Sequence, residues 1–358
     1  MKIVSVVGTR PQFVKLSAIS RAIKKWNDDG KDFIDEVIVH TGQHYDEMMS
    51  SIFFNELEIP KPDYNLWIGS GTHGRQIGKM IEVISGVLAD ERPGVVMVYG
   101  DSNTTLAGAI ATKHLHIKLA HVEAGVRSYN MAMPEEINRV LTDRIADTLF
   151  CPNLTACENL YKEGIYREVL NFGDVMLDNV EYYYDIAKKN NHILEKLGIE
   201  GNEYILLTVH REGNMGDNLQ NIIKAIKKID TKYPIIFPAH PRLKKELESV
   251  EIPAICIDPV SYLDMLQLLR RSRLVLTDSG GLQKEAFFFG VPCITLRDET
   301  EWVDTLIDGW NVLVGADTEK IVKEFKLISK KCRSINSGNN NAFGYGNASE
   351  KIVEALVD

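Results

Sequence analysis

The chain has 358 residues, 44% of them apolar and 25% charged, enough for two domains with their own cores; this excludes a disordered chain and a membrane class. Lys and Arg number 41 against 50 Asp and Glu, a formal net charge of −9 with no basic run, which argues against nucleic acid as the main partner. Five scattered cysteines, Cys151, Cys157, Cys256, Cys293 and Cys332, form no C-x-x-C pair and predict reduced thiols with no metal site.

The chain opens on Met-Lys-Ile-Val-Ser-Val-Val-Gly, which enters a strand without a basic region, an apolar core or a cleavage site. No stretch approaches the roughly eighteen apolar residues of a spanning helix, so the expectation is a cytoplasmic protein with no membrane partner. Short β-branched runs at residues 3–7, 36–40, 95–99, 119–122 and 148–150 each precede a helix-compatible segment. After Asn171-Phe-Gly173-Asp174 and a charged helical stretch to about Leu197 the alternation resumes, with runs at 204–209, 235–238, 255–257, 274–277 and 293–296. Such alternation predicts an α/β protein of two doubly wound, Rossmann-like domains facing a cleft. The expected division is residues 1–172 and 173–346, with 334–348 largely loop before a final short helix.

Polar residues cluster where these strands end. Gly8-Thr-Arg10-Pro-Gln12-Phe-Val-Lys15 closes the first strand with two cations and a proline suited to a first helical turn. Gly69-Ser-Gly71-Thr-His-Gly74 matches G-x-G-x-x-G in letter, but only Leu66, Trp67 and Ile68 precede it, so it reads as a helix-capping loop and not a nicotinamide site. Asp101, Glu123, Glu135 and Glu136 follow apolar runs or open a helix; singly such acids are caps or surface pairs, together they suit acid and base chemistry. In the second half His210-Arg211 and His240-Pro-Arg242 end two strands. Leu276-Thr-Asp278-Ser279-Gly280-Gly281-Leu-Gln-Lys-Glu285 passes from a strand through a glycine turn into a helix, the construction of a phosphate seat, with Asp278 or Ser279 as the helix cap.

Gly-Thr-Arg-Pro at 8–11, Gly-Asp at 100–101, His-Val-Glu-Ala-Gly at 121–125, Pro-Glu-Glu-Ile-Asn-Arg at 134–139, Thr-Val-His-Arg at 208–211, Asp-Ser-Gly-Gly at 278–281 and Leu-Arg-Asp-Glu-Thr-Glu at 296–301 together resemble the non-hydrolysing UDP-N-acetylglucosamine 2-epimerase family. The resemblance runs in order over nearly the whole chain. It implies the glycosyltransferase-B architecture with a C-terminal helix, 347–358, crossing back to the first domain, a homodimer, and inversion at carbon 2 of a UDP-2-acetamido sugar with no cofactor. By the same resemblance Asp101, Glu123 and Glu135 do acid and base work, and Arg10, Lys15 and Arg139 lie near the sugar or diphosphate. His210 faces the diphosphate, Ser279, Gly280 and Gly281 hold phosphate, and Glu285 takes the ribose.

A carbon-2 proton with no adjacent carbonyl is not acidic, so the chemistry calls for oxidation of a neighbour or departure of the nucleotide. With no dinucleotide fingerprint, elimination of UDP to a glycal and re-addition to the other face is the expected route. Which carboxylate takes the proton is not assigned by the sequence. Two departures from the family pattern bear on the sugar: Gln12 stands where Glu is usual, and Trp302-Val303-Asp304 where Arg-Pro-Glu is usual. An amide in place of an acid suits a substrate carrying its own carboxylate, so UDP-2,3-diacetamido-2,3-dideoxyglucuronic acid stands beside UDP-N-acetylglucosamine. Gln43 and His44 match the family's effector site, but Tyr45 and Asp46 follow, so the sequence leaves activation by substrate open. A sugar transferase with a UDP-sugar donor is the alternative of another class, which the three first-domain acids disfavour.

Overall fold

The computed structural model describes residues 1–43, 54, 56–189, 192–239, 243, 246–247, 251–329 and 341–357. The chain divides into two compact units, Met1–Glu181 with Asn341–Asp358, and Tyr182–Asn340.

In the first unit seven parallel strands, β1 Lys2–Val7, β2 Asp35–His40, β3 Tyr64–Asn65, β4 Val95–Tyr99, β5 Lys118–Val122, β6 Thr148–Cys151 and β7 Val169–Asn171, lie in the order β3-β2-β1-β4-β5-β6-β7. Every residue of β4 is buried, as the continuous run Val-Val-Met-Val-Tyr requires of a strand covered on both faces. Val4, Val6, Val96 and Val98 turn one way, onto Met80, Ile84 and Leu88 of the helix His73–Glu91 and Ala107 and Ala111 of Asn103–His114. Phe13, Leu16 and Ile19 of the helix Arg10–Asp28 are buried with the sheet on the other side. Each such aliphatic side chain contributes about 1.5–3 kcal/mol when fully buried. The last helix, Ala348–Val357, packs on Arg10–Asp28, and the Asp178 carboxylate caps it by accepting from Ala348 N (3.2 Å), Ser349 N (2.7 Å) and Ser349 Oγ (2.6 Å).

The second unit repeats the plan. Strands β8 Ile205–Thr208, β9 Ile235–Pro238, β10 Ile255–Ile257, β11 Leu274–Thr277, β12 Cys293–Thr295 and β13 Asn311–Leu313 are parallel, in the order β10-β9-β8-β11-β12-β13. One face carries Leu219, Ile222 and Ile226 of Asp217–Lys228 with Ile321 and Phe325 of Thr318–Ile328. The other carries Leu268 and Leu269 of Tyr262–Arg271 with Leu282 and Ala286 of Gly280–Phe288.

Three strands were not expected from the sequence: β3, β7 and β13. Each has two or three residues and lies at a sheet edge, where a partly exposed strand needs no apolar run to announce it. The strand order reverses between β1 and β4 and again between β8 and β11. In doubly wound sheets ligands bind beyond the carboxyl ends of the strands at that reversal. Gly8 to Lys15, Gly100-Asp101, His210 and Ser279 all follow these four strands.

Candidate active site

The first unit's site is built around Gly100, the residue after β4. Its φ of +62° suits glycine, and a Cβ there would lie 3.0 Å from Lys15 Nζ and 3.4 Å from Glu123 Oε1. Lys15 and Glu123 form an ion pair at 2.8 Å, each side chain only 8% exposed. Glu123 itself has φ of +73°, a left-handed backbone that glutamate rarely adopts; its N–H and that of Ala124 donate to Phe150 O. A strained non-glycine residue carrying a buried carboxylate is the pattern of a functional position.

Asp101 comes next. Its carboxylate accepts Arg139 Nη1 at 2.5 Å and its carbonyl accepts Asn138 Nδ2 at 2.9 Å, so the helix Pro134–Ile145 holds it from both sides. Arg139 also pairs with Glu136 (2.9 Å), which accepts the N–H groups of Ser128 and Tyr129. Burial raises the Glu136 carboxyl, but those N–H groups and Arg139 outweigh it and hold it below the usual range. Glu136 is thus a buried brace. Glu135 is exposed on the first turn, four residues before Arg139 and on the same helix face. Arg10 is half-buried at the first position of its helix.

Gln12 does something other than the sequence reading proposed. It is buried; its Oε1 accepts Gly8 N (2.9 Å) and Thr9 N (3.1 Å), and its Nε2 donates to Tyr99 O (2.9 Å) and Thr105 Oγ1 (3.0 Å). The amide is used up in tying the end of β1 to the end of β4, so it carries no argument about the charge of a substrate. The Gly69 to Gly74 loop leads into the helix His73–Glu91, with Thr72 at its N-cap. Gln43 Oε1 accepts Thr104 N (3.1 Å) and Oγ1 (2.8 Å), while His44, Tyr45 and Asp46 lie outside the described residues.

In the second unit β8 and β11 are joined at their ends by Thr208 and Thr277, whose hydroxyls lie 2.6 Å apart. Asp278, fully buried, accepts His210 N (3.0 Å), Arg211 N (2.9 Å) and Asn214 Nδ2 (3.0 Å), and its other oxygen contacts His210 Nδ1 at 2.9 Å. Burial raises this carboxyl; the His210 ring and the N–H groups of the turn more than offset that and hold it low. Asp278 is therefore the anchor of the His210 turn, and Ser279 is the helix cap, accepting Leu282 N at 3.3 Å. Held at Nδ1, the 53% exposed His210 ring turns Nε2 away from Asp278.

The helix Gly280–Phe288 points its N-terminus at the carboxyl end of the sheet. Glu285 is buried and accepts Tyr262 Oη at 3.0 Å. Lys284 is buried with its Nζ 3.6 Å from the centre of the Trp302 ring, which explains how an indole fits at a position the sequence marked as a departure. Arg297, missed as a candidate, pairs with Glu301 (2.7 Å), and its buried Nη1 has no partner among the described residues. Glu301 in turn lies against Gly280, so this guanidinium stands beside the helix N-terminus. The signal was the Leu-Arg-Asp run directly after a buried strand. His240, Pro241 and Arg242 lie outside the described residues.

Among the described residues no three His, Cys, Asp or Glu side chains are grouped to hold a metal ion, and no helix is long and apolar enough to cross a membrane.

Two doubly wound parallel sheets, one reversing beside paired carboxylates and cations and the other beside a glycine turn and helix N-terminus, define an α/β protein of the glycosyltransferase-B type. A family profile described as UDP-N-acetylglucosamine 2-epimerase matches residues 28–357. A Methanococcus maripaludis protein described as a UDP-N-acetylglucosamine 2-epimerase homolog is 50% identical over 99% of both chains. The UDP-2,3-diacetamido-2,3-dideoxy-D-glucuronate 2-epimerase of Pseudomonas aeruginosa is 46% identical over 100% of this chain and 99% of that protein. The crystal structure of Methanocaldococcus jannaschii UDP-GlcNAc 2-epimerase in complex with UDP-GlcNAc and UDP aligns with a TM-score of 0.90 at 44% identity, covering 100% of this chain and 99% of that one. The chain belongs to the UDP-N-acetylglucosamine 2-epimerase family.

Proposed function

We propose that the protein inverts carbon 2 of a UDP-2-acetamido sugar by eliminating UDP and adding it back. The observation that carries this reading is the Lys15–Glu123 pair beside Gly100-Asp101. The ammonium stabilises the charge that the carboxylate must hold to accept a proton, and Arg139 does the same for Asp101. One carboxylate takes the carbon-2 proton as the bond from carbon 1 to the diphosphate oxygen breaks, leaving a 2-acetamidoglucal and UDP. The oxygen then re-forms its bond to carbon 1 while a proton arrives at the opposite face of carbon 2 from a second acid. No electron leaves the substrate, so the cycle calls for no redox cofactor.

Asp101, Glu123 and Glu135 are the acid and base groups in this reading, with Arg10, Lys15 and Arg139 as the cations near the sugar or diphosphate. Ser279, Gly280 and Gly281 take phosphate at the helix N-terminus, with His210 Nε2 and Arg297 Nη1 as donors of charge-assisted bonds, and Glu285 takes ribose hydroxyls. The sugar is N-acetylglucosamine, or the diacetamido uronic acid that the Pseudomonas aeruginosa relative is named for. Incubation with each UDP sugar in heavy water, following the carbon-2 proton, tests both parts. Exchange with one sugar identifies it, and no exchange with any UDP-2-acetamido sugar overturns the proposal.

A cytoplasmic homodimer fits the same reading. Ile137 and Leu141, 38% and 47% exposed and one turn apart on Pro134–Ile145, offer an apolar stripe to a second copy. Light scattering of Leu141→Glu against the parent protein tests that assignment.

A further inference from the structure

The strongest buried charge cluster that the proposed chemistry leaves unused surrounds His121, in β5. Its ring is wholly buried between two acceptors: Nδ1 lies 2.6 Å from Asp143 Oδ1 and Nε2 lies 2.7 Å from Gly100 O. Asp143 is itself ringed by donors, for its Oδ2 accepts Gly125 N (3.0 Å) and Arg127 Nη1 (2.7 Å). Burial would raise this carboxyl, but His121 and Arg127 together hold it well below the usual range, so Asp143 is an anion with no hydrogen to give. Arg127 passes on to Glu163 in a two-pronged pair, Nε to Oε1 at 2.7 Å and Nη2 to Oε2 at 2.8 Å.

A neutral imidazole has one N–H and one bare nitrogen. Either tautomer here would press a bare nitrogen against a carboxylate or a carbonyl oxygen at hydrogen-bond distance. Both contacts are satisfied when each ring nitrogen carries a hydrogen. The chain His121, Asp143, Arg127, Glu163 then alternates cation and anion and sums to zero charge, which is the condition for burying it.

The end of this chain is the Gly100 carbonyl. Gly100 N donates to Val122 O at 2.9 Å, so both polar groups of the glycine are tied to β5, one through the backbone and one through the ring. The next residue is Asp101, and Glu123 follows two residues after His121. We infer that His121 is a positioning residue that donates from both ring nitrogens, locking the Gly100 turn so that Asp101 meets Arg139 and Glu123 meets Lys15. This rests on the reading of Asp101 and Glu123 as the reacting groups.

Neutron diffraction of the unsubstituted protein tests the donor role without reference to activity. Deuterium at both Nδ1 and Nε2 of His121 is the expected result, and one bare nitrogen overturns the inference whatever the protein's substrate. The positioning role is read from His121→Asn and Asp143→Asn. Both are expected to lower kcat for carbon-2 exchange roughly 10- to 100-fold, since a misplaced catalytic group costs that much. KM and UDP affinity are expected to stay within about twofold, because the UDP groups named above in the second unit are untouched. A folded His121→Asn protein with unchanged kcat overturns the positioning role. Should the variants not fold, the hydrogen positions in the parent protein still decide the donor role on which the inference stands. Absence of exchange in the parent protein removes the proposed function instead, and leaves the neutron result standing.

Discussion

Lys15 Nζ stands 2.8 Å from Glu123 Oε1, and the two side chains shield each other from water. A buried pair like this is expensive to break, about 3–5 kcal/mol when one partner is removed, because the other charge is left uncompensated. Lys15→Met is therefore expected to leave Glu123 neutral or displaced, and carbon-2 exchange should fall at least about 100-fold, the scale of a lost general base. UDP affinity, measured by calorimetry, is expected within about threefold of the parent. Equal losses of exchange and UDP affinity would place Lys15 on the diphosphate instead. Glu123→Gln is expected to follow the same split.

A second expectation concerns Gln12. Its Oε1 faces two backbone N–H groups and its Nε2 faces a carbonyl and a hydroxyl. Glutamate, the family's usual residue, presents an oxygen to the Tyr99 carbonyl where the amide now donates. In this chain Gln12→Glu should cost about 1–3 kcal/mol of unfolding free energy in urea titration, the price of an unmatched buried group. The ratio of activities toward the neutral and acidic UDP sugars should not change. A reversal of that ratio would restore Gln12 to the substrate's surroundings.

The strands were legible where burial on both faces wrote a continuous apolar run, as in Val95 to Tyr99 and Leu274 to Thr277, and glycines and polar residues after those runs marked the sites. What the residues alone did not show is where each polar side chain spends its bonds. Asp278 lies 68 residues from His210, Asp143 22 from His121 and Gln12 87 from Tyr99, and such pairings are fixed only when the sheet aligns the strand ends. Glu135 and Glu136 are the sharpest case, two like residues side by side of which helix geometry buries the second and exposes the first.

A third expectation follows from Glu36, on β2. Burial pushes its carboxyl up to about 7, Asp63 adds to that, and the hydroxyls of Ser20 (2.9 Å) and Ser5 pull partly against it. Ser5 also meets Tyr99 Oη at 2.8 Å, and burial raises that phenol too. An unfolded glutamate titrates at about 4.3. Because the folded value is the higher one, this group's contribution is complete below about 4.3 and is lost as pH climbs through about 7. Glu36→Gln should remove that loss, making the variant more stable than the parent by up to about 4 kcal/mol at pH 8 and not at pH 4. Parallel stability curves across this range would contradict the assignment.

The glycine turn after Asp278 permits the most direct separation of structure from binding. A Cβ on Gly280 would lie 2.9 Å from Glu301 Oε1 and 3.1 Å from Trp302 Nε1, and both side chains are buried, Glu301 pinned by Arg297 and Trp302 lying under Lys284. Admitting the methyl group requires Glu301 to shift away from its place beside Arg297 or Trp302 to give by a few tenths of an ångström. Gly280→Ala is thus expected to cost about 1–3 kcal/mol by overpacking. On Gly281 the same Cβ would meet only Ser279 Oγ, at 3.9 Å, and otherwise open space. Gly281→Ala should fold at least as stably as the parent, since alanine is the better helix former by up to about 1 kcal/mol. If phosphate approaches the backbone at this helix N-terminus, the added methyl group stands in its way, and UDP affinity should drop about tenfold or more while the melting temperature holds. Calorimetry on the two variants reads the difference: undiminished UDP binding by Gly281→Ala would mean that the anion does not approach the backbone at Gly281, whatever the glycine pair suggests.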